Sequence, residues 1–204
     1  MPDTMTIQTI ELPGGKLTYY PEFLATEQAD RLLDQLAAGV AWRQDRIRLF
    51  GKEHPIPRLQ AFQGEPGLSY RYSNLCLQSS PWHPALPPLL DRLAQLCGQR
   101  FNCVLLNLYR DGQDSMGWHS DDESELGANP RIASLSLGAS RRFLLRHRKH
   151  TELDKQELLL EHGSLLLMEG ALQHNWQHSL PRSRRVGQCR VNLTFRHILP
   201  STTE

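Results

Sequence analysis

His119 and Asp121 stand two residues apart in Gly117-Trp118-His119-Ser120-Asp121-Asp122-Glu123. In extended backbone, side chains at i and i+2 point to the same side. An imidazole nitrogen and a carboxylate oxygen can therefore reach one cation from neighbouring positions. Two imidazoles and one carboxylate on one side of a divalent metal leave open the positions that ferrous oxidation chemistry needs. Alone, an H-x-D pair is far more often a surface turn, so the pattern needs a third donor. His178, in His174-Asn175-Trp176-Gln177-His178-Ser179-Leu180-Pro181, can supply it. His174, on the same strand face, and His162 are its rivals.

Close to the C-terminus, Arg190-Val191-Asn192-Leu193-Thr194-Phe195-Arg196 alternates strictly. Arg190, Asn192, Thr194 and Arg196 fall on one face, Val191, Leu193 and Phe195 on the other. An arginine held in a strand can clamp a carboxylate with two parallel N–H donors. The same pattern also describes the solvent-facing strand of an antiparallel sheet. Two basic clusters accompany these motifs: Arg141-Arg142 with Arg146-His147-Arg148-Lys149-His150, and Arg182, Arg184 and Arg185. The second begins four residues after His178, which places it near any metal that His178 binds.

These residues need elements to hold them. Residues 1–25 read as extended. Thr26 is a candidate N-cap for a helix through about Ala38, with Leu32, Leu33 and Leu36 inward and Gly39 as its stop. Trp42 to Leu49 reads as a strand, Arg48 to Lys52 as a turn, and Leu59 to Phe62 as the hairpin partner. Leu68 to Ser73 is a strand or extended rim in which Tyr70 and Tyr72 face one way and could stack on a planar base. Packing is the commoner use of such tyrosines. A second helix is expected over Pro84 to Cys97, with Leu86, Leu89, Leu90, Leu93 and Leu96 as its stripe and Gly98 ending it. Beyond Phe101 the chain is β: strands are expected at 101–109, 132–137, 142–147, 157–160, 164–168, 175–179 and 190–198. Short strands separated by turn signals fit a double-sheet jelly roll. The expected class is mainly β, a double-stranded β-helix with N-terminal α-helices covering one sheet. A single domain is expected, with helices and hairpins over about 1–100, where Tyr70 and Tyr72 could meet a nucleotide base, and a jelly-roll core carrying the candidate site over about 101–204.

The 204 residues, 39% of them hydrophobic, suffice for one substantial core. No apolar run approaches 18 residues, so no membrane partner is expected. The opening Met1-Pro2-Asp3-Thr4-Met5 lacks the basic-then-apolar order of a signal peptide. Cys76, Cys97, Cys103 and Cys189 form no C-x-x-C pair and read as thiols of a reducing compartment, the cytoplasm, or the nucleus in a eukaryote. The net charge of +1 is low for a nucleic-acid binder, so such binding must come from local clusters.

N-x-Y-x-D-G from Asn107, G-W-H-S-D-D-E from Gly117, I-A-S-L-S-L-G from Ile132, H-G-S-L-L-L-M from His162, H-S-L-P from His178 and R-V-N-L-T-F-R from Arg190 occur in one order. In that order they resemble the AlkB-type Fe(II)/2-oxoglutarate dioxygenases, which remove alkyl groups from nucleic-acid bases. R-L-F-G-K from Arg48 and S-Y-R-Y-S-N from Ser69 resemble the branch that repairs duplex DNA. The resemblance runs from about Arg48 onward. It implies Fe(II), 2-oxoglutarate and O2 as cofactor and cosubstrates, and alkylated DNA as partner. RNA is the alternative polymer, and a monomer is expected. The implied reaction is demethylation of 1-methyladenine and 3-methylcytosine type lesions. A same-fold dioxygenase acting on RNA or another methylated target is an alternative, as is a jelly-roll module that binds nucleic acid or metal without turnover. A bare binding module needs neither a triad nor clamp arginines.

Residue by residue, the resemblance makes His119, Asp121 and His178 the iron ligands. It places Arg190, with Tyr109, on the distal carboxylate of 2-oxoglutarate, and Arg196 at its other end beside the neighbouring acid. Asn107 and Asn192 become polar contacts to the cosubstrate. Tyr72 stacks on the flipped base, with Tyr70 and Ser73 completing its pocket, Asp122 near the base and Glu123 near the rim. Phe50 is the wedge that fills the vacated gap. Arg182, Arg184 and Arg185 form a loop on the backbone phosphates. Two departures stand out. Trp118 occupies a position where other members carry different residues, and the resemblance assigns it no role. The connection from Arg148 to Gln156 is shorter than the loop some duplex-repair members use to grip DNA.

Overall fold

The computed structural model describes residues 6–49, 51–72 and 75–200. Two strands, β1 (Gln8–Leu12) and β2 (Gly15–Tyr20), precede helix α1 (Thr26–Gly39). The hairpin β3 (Arg46–Leu49) and β4 (Lys52–Pro55) follows, then β5 (Leu59–Gly64), the hairpin β6 (Ser69–Tyr72) and β7 (Leu75–Gln78), and helix α2 (Pro87–Cys97). The remaining elements are β8 (Cys103–Tyr109), β9 (Met116–His119), β10 (Ile132–Gly138), β11 (Arg141–His147), β12 (Gln156–Leu160), β13 (Leu165–Gly170), the short helix α3 (Leu172–Asn175), β14 (Trp176–Leu180) and β15 (Arg190–Arg196). A major sheet of seven strands runs β1-β2-β13-β10-β15-β8-β5, and a minor sheet runs β12-β11-β14-β9. The strands of both sheets pair antiparallel. This is the expected jelly roll.

Alternation assigns the faces of the major sheet. Val104, Leu106, Ala133, Leu135, Leu137, Val191, Leu193 and Phe195 point to the helices and join Leu32 and Leu36 of α1 and Leu89 and Leu93 of α2 in one cluster. Complete burial of one such Leu or Phe contributes about 1.5–3 kcal/mol, so this layer anchors the sheet against which the site is built. The opposite face looks into the sandwich. There Leu17, Ile132, Leu166 and Met168 meet Phe143, Leu145, Leu160 and Trp176 near the minor sheet, and polar side chains take over further along.

Four local expectations are corrected. The N-cap position of α1 is Ala25, with no side-chain cap, and Thr26 is already helical. Helix α2 begins at Pro87 rather than Pro84, because prolines sit without penalty in a first turn whose N–H groups lack helical partners. Its stripe closes on buried Cys97, four residues after Leu93, while Leu96 is 40% exposed. Gly98 ends it at φ 63°, a left-handed value that favours glycine. Finally, β3 pairs with the polar β4, whereas Leu59 to Gly64 pairs with β8 at the edge of the major sheet. An apolar strand gains more by joining the buried sheet than by closing an exposed hairpin.

Candidate active site

His119 ends β9 and His178 lies in β14, where the two are directly opposed across the ladder. Their ring centroids are 4.2 Å apart. Asp121 follows two residues beyond, and one ligand atom each from His119, Asp121 and His178 all lie within 4.8 Å of one another. The site is held from behind. The Asp121 amide donates to Gln173 Oε1 at 3.0 Å, and the Ser120 hydroxyl donates to the Trp176 carbonyl at 2.8 Å. Arg196 Nη2 donates to Asp121 Oδ2 at 2.8 Å. The other carboxylate oxygen, Oδ1, is buried with no hydrogen-bond partner among the described residues and lies 3.9 Å from His119 Nε2.

The electrostatics suit a cation. Burial raises the Asp121 pKa, but Arg196, His178 and His119 outweigh it and hold the carboxyl at about 2. Burial, assisted by His119, pushes His178 down to about 3, so its imidazole is neutral and its lone pair available. His119 Nδ1 lies 2.9 Å from the Gly117 carbonyl, which favours a proton on Nδ1 and leaves Nε2 to face Asp121. A buried anionic oxygen without a partner costs several kcal/mol unless a cation completes it. A divalent metal bound by two imidazoles and one carboxylate fits that requirement. The rival histidines are occupied elsewhere: His174 Nε2 contacts the Ala128 carbonyl, while His162 accepts from the Gly138 amide and faces Asp30.

A polar stripe crosses the inner face of the major sheet beside this triad. In register, Arg190 opposes Tyr109 and Asn192 opposes Asn107 on β8, while Asn192 and Thr194 oppose Ser136 and Ser134 on β10. The whole of β15 is buried, so its polar side is an interior surface and the solvent-facing reading is excluded. Arg190 is 2% exposed; its Nη2 donates to Ser136 Oγ at 2.9 Å, and its Nε has no hydrogen-bond partner among the described residues. Burial pulls its pKa to about 10 against the favourable influence of Tyr109. Asn192 donates to Ser134 Oγ and the Leu135 carbonyl and accepts from Thr194, so its amide braces the stripe. Asn107 accepts from Arg58 Nε at 2.8 Å. The triad, Arg190, Asn107 and Tyr109 line one cavity. A buried guanidinium whose side-chain hydrogen-bond partners, Ser136 and Tyr109, are neutral hydroxyls suits a carboxylate ligand.

The profile of the 2OG-Fe(II) oxygenase superfamily matches residues 16–196. The chain belongs to that family. The DNA oxidative demethylase ALKBH2 of Bos taurus is 44% identical over 192 residues, covering 90% of this chain and 69% of its own length. The human alpha-ketoglutarate-dependent dioxygenase alkB homolog 3 is 42% identical over 194 residues, covering 91% and 67%. The solved structure of OsALKBH1 shares the fold at a TM-score of 0.65 and 16% identity, over 94% of this chain and 100% of its own. The chain is thus an AlkB-type Fe(II)/2-oxoglutarate-dependent dioxygenase, with Fe(II), 2-oxoglutarate and O2 as its cofactor and cosubstrates.

The residues expected at the substrate side of this oxygenase are less uniform. Tyr70 is 0% exposed and presents no open face, so of the two uses weighed for it the fold shows packing rather than stacking. Its ring packs on Phe62 and under the Arg196 guanidinium, and its hydroxyl donates to Glu123 Oε2 at 2.9 Å. Burial and the Asp121 charge push Glu123 up to about 7. Asp122 is paired with Arg148 at 2.5 Å. Arg182, Arg184 and Arg185 are exposed on the loop between β14 and β15. Phe50 and Ser73 lie outside the described residues, as does the Tyr72 side chain.

Four further residues, named in the sequence only as parts of a motif or a basic cluster, help to build the site. Arg141, 2% exposed, donates to the carbonyls of Asp111, Asp114 and Pro181, tying the turn before β9 to the start of the basic loop. Gly112 makes the same connection by close approach, since a Cβ there would lie 1.9 Å from the Ser183 carbonyl oxygen. Ser134 and Ser136 sit within I-A-S-L-S-L-G at the same two-residue period as Arg190 and Asn192, and that period could have placed them on the polar face. Among the described residues no helix is long and apolar enough to cross a membrane.

Proposed function

We propose that this dioxygenase is a DNA oxidative demethylase acting on N-alkylated bases of the 1-methyladenine and 3-methylcytosine type. The observation that carries the reading is the joint presence, along one cavity, of a buried Asp121 oxygen and a buried Arg190 nitrogen that have no hydrogen-bond partner among the described residues. The names of the relatives, DNA oxidative demethylase among them, direct that chemistry to alkylated DNA. Fe(II), when bound with 2-oxoglutarate and O2, supplies the oxidation that places a hydroxyl on the alkyl carbon and yields succinate and CO2.

The chain's own residues do the rest. His119, Asp121 and His178 hold the metal, and Arg196 fixes Asp121 so that one oxygen is reserved for it. Arg190 takes the distal carboxylate of 2-oxoglutarate, with Ser136 and the Tyr109 ring orienting the guanidinium. Asn107 and Asn192 line the cosubstrate cavity. The buried walls exclude water from the oxidation. A hydroxymethyl group on a base nitrogen then breaks its C–N bond, the nitrogen keeping the electron pair and gaining the hydroxyl proton as formaldehyde leaves. No protein nucleophile takes part. In a duplex the target must be flipped out. Phe50 fills the gap, Tyr72 and Ser73 meet the base, and Asp122 and Glu123 border it. Arg182, Arg184 and Arg185 hold phosphates. The triad and Arg190 come from one chain, so the site is complete without a second copy, which supports action as a monomer; the free cysteines suit a reducing compartment.

Formaldehyde release tests the reading. It is measured with Fe(II) and 2-oxoglutarate on 1-methyladenine and 3-methylcytosine in single-stranded DNA, duplex DNA and RNA. Release from DNA, dependent on both additions, is expected. Release from RNA alone would make the enzyme an RNA demethylase, and 2-oxoglutarate turnover without release from any polymer would remove nucleic acid as its substrate.

A further inference from the structure

Trp118 precedes the first metal ligand, and neither the oxidation nor the cosubstrate site uses it. The strand pairing explains where it goes. In β9, His119 points inward to the triad, so Trp118 points to the outside of the minor sheet at the free edge that β9 forms. Arg142 and Arg146 of β11, with Arg148 just beyond it, share that outer side by alternation. Two of these cations are neutralised, Arg142 by Glu157 at 2.6 Å and Arg148 by Asp122 at 2.5 Å.

Arg146 is treated differently. Its Nε and Nη2 both donate to the neutral Gln177 Oε1, at 3.2 and 2.9 Å, and its guanidinium carbon lies 4.3 Å from the centroid of the Trp118 ring. No ion pair to Arg146 forms among the described residues. The amide thus fixes the guanidinium plane without cancelling its charge, and both Arg146 and Trp118 remain partly exposed. Planar cation and indole together make a surface on which a nucleobase can stack, with positive charge left for the adjoining phosphate.

We infer that Trp118 and Arg146 form a ledge that stacks an unpaired base flanking the target in a nucleic-acid strand. The inference rests on the demethylase reading, because a strand that delivers one base to His119 must carry its neighbour over the β9 edge. Charge complementarity selects the occupant: an uncompensated arginine stacked on an aromatic ring suits a polyanion that carries flat bases. The ledge explains why the chain has tryptophan at 118, a position next to the chemistry but facing away from it.

The test is a stacking cycle on the iron- and 2-oxoglutarate-loaded enzyme under anaerobic conditions. One labelled single-stranded DNA carries a central 1-methyladenine, and a second is identical except for abasic sites on both sides of it. Trp118→Ala is expected to weaken binding of the first about 10-fold, near 1.4 kcal/mol. Trp118→Phe should restore most of that loss. The abasic flanks should cost the wild type a similar factor, and Trp118→Ala should lose nothing further on them. Melting temperature and 2-oxoglutarate affinity should not move. Equal losses for Trp118→Ala on both oligonucleotides, or unchanged binding of the first, would overturn the ledge while wild-type demethylation stands. Absence of wild-type demethylation would instead remove the reading beneath it, and the ledge with it.

Discussion

The polar stripe on β15 and the basic loop that precedes it both use arginine, yet in opposite ways. Arg190 and Arg196 are 2% and 3% exposed, carried on a strand buried along both faces and pinned at their register by β8 and β10. Arg182, Arg184 and Arg185 are exposed, and no hydrogen bond or ion pair holds their side chains among the described residues. A buried arginine must have its partner at a fixed place, because an unpaired charge inside the protein costs several kcal/mol. An exposed one keeps its hydration and can follow a flexible phosphate chain. The difference separates the tasks. In the proposed function the sheet takes the small, fixed ligands, and the polymer falls to side chains that can adapt.

Substitutions at the two regions should therefore fail in different ways. The largest effect is expected at Asp121. Asp121→Asn keeps an acceptor for Arg196 but removes the charge that metal and guanidinium share, so turnover should fall by ~1000-fold or more, near 4 kcal/mol. Asp121→Ala should lose activity and also lower the melting temperature, because it strands the Arg196 charge in the interior. Iron-dependent activity and a melting curve on both variants check this. Wild-type turnover by Asp121→Asn at limiting iron would remove it from the triad. Next, Arg190→Ala should raise the 2-oxoglutarate KM by roughly 100-fold, about 2.7 kcal/mol, and leave the DNA KM nearly unchanged. Equal effects on both substrates would make Arg190 a general structural residue and erase the contrast.

The exposed loop should show the converse. Arg182→Ala, Arg184→Ala and Arg185→Ala combined should weaken DNA binding by ~10-fold or more, and flatten the slope of log affinity against log salt by about 2–3. The 2-oxoglutarate KM and the melting temperature should stay put. A changed 2-oxoglutarate KM would show that the loop is part of the inner site. The smallest effect concerns Phe50. If it is the wedge, Phe50→Ala should slow repair of duplex DNA by ~5–10-fold, near 1–1.4 kcal/mol, and spare single strands. Equal losses on both would make Phe50 a packing residue.

Much of the core was legible in the sequence because alternation is a local signal. Seven of the eight strands from Cys103 onward fall where the apolar period puts them, whereas β9, Met116-Gly117-Trp118-His119, has no apolar period and was not among the expected strands; His119, Asp121 and His178 converge as their spacing allows. Alternation does not reveal what each face meets. Alternation left Arg190 to Arg196 open between a carboxylate clamp and a solvent-facing strand until β8, β10 and the minor sheet enclosed them, and left Tyr70 open between stacking on a base and the packing under Phe62 and Arg196 that the fold shows. The strand partner of β3 was misplaced for a related reason: Lys52-Glu53-His54-Pro55 has no apolar period, whereas Leu59 to Phe62 has an apolar character that another strand uses. Arg141 was missed because its partners are backbone carbonyls, which leave no trace in residue identity. Trp118 needed three strands before its neighbour Arg146 came into view.

The central claim is that the sheet holds a preformed, uncompensated cation for a dicarboxylate beside a preformed metal site. Thermal melting of the metal-free protein tests it most directly, with and without 2-oxoglutarate and a divalent metal, for the wild type and for Arg190→Met. Methionine fills similar volume without charge, so the variant alone should melt at or above the wild-type temperature. Metal and 2-oxoglutarate together should raise the wild-type melting temperature, by an amount corresponding to about 2.7 kcal/mol at a ligand concentration 100 times its Kd. The variant should retain the response to metal and lose the response to 2-oxoglutarate. A variant that melts far below the wild type, yet responds to 2-oxoglutarate as the wild type does, would contradict the claim.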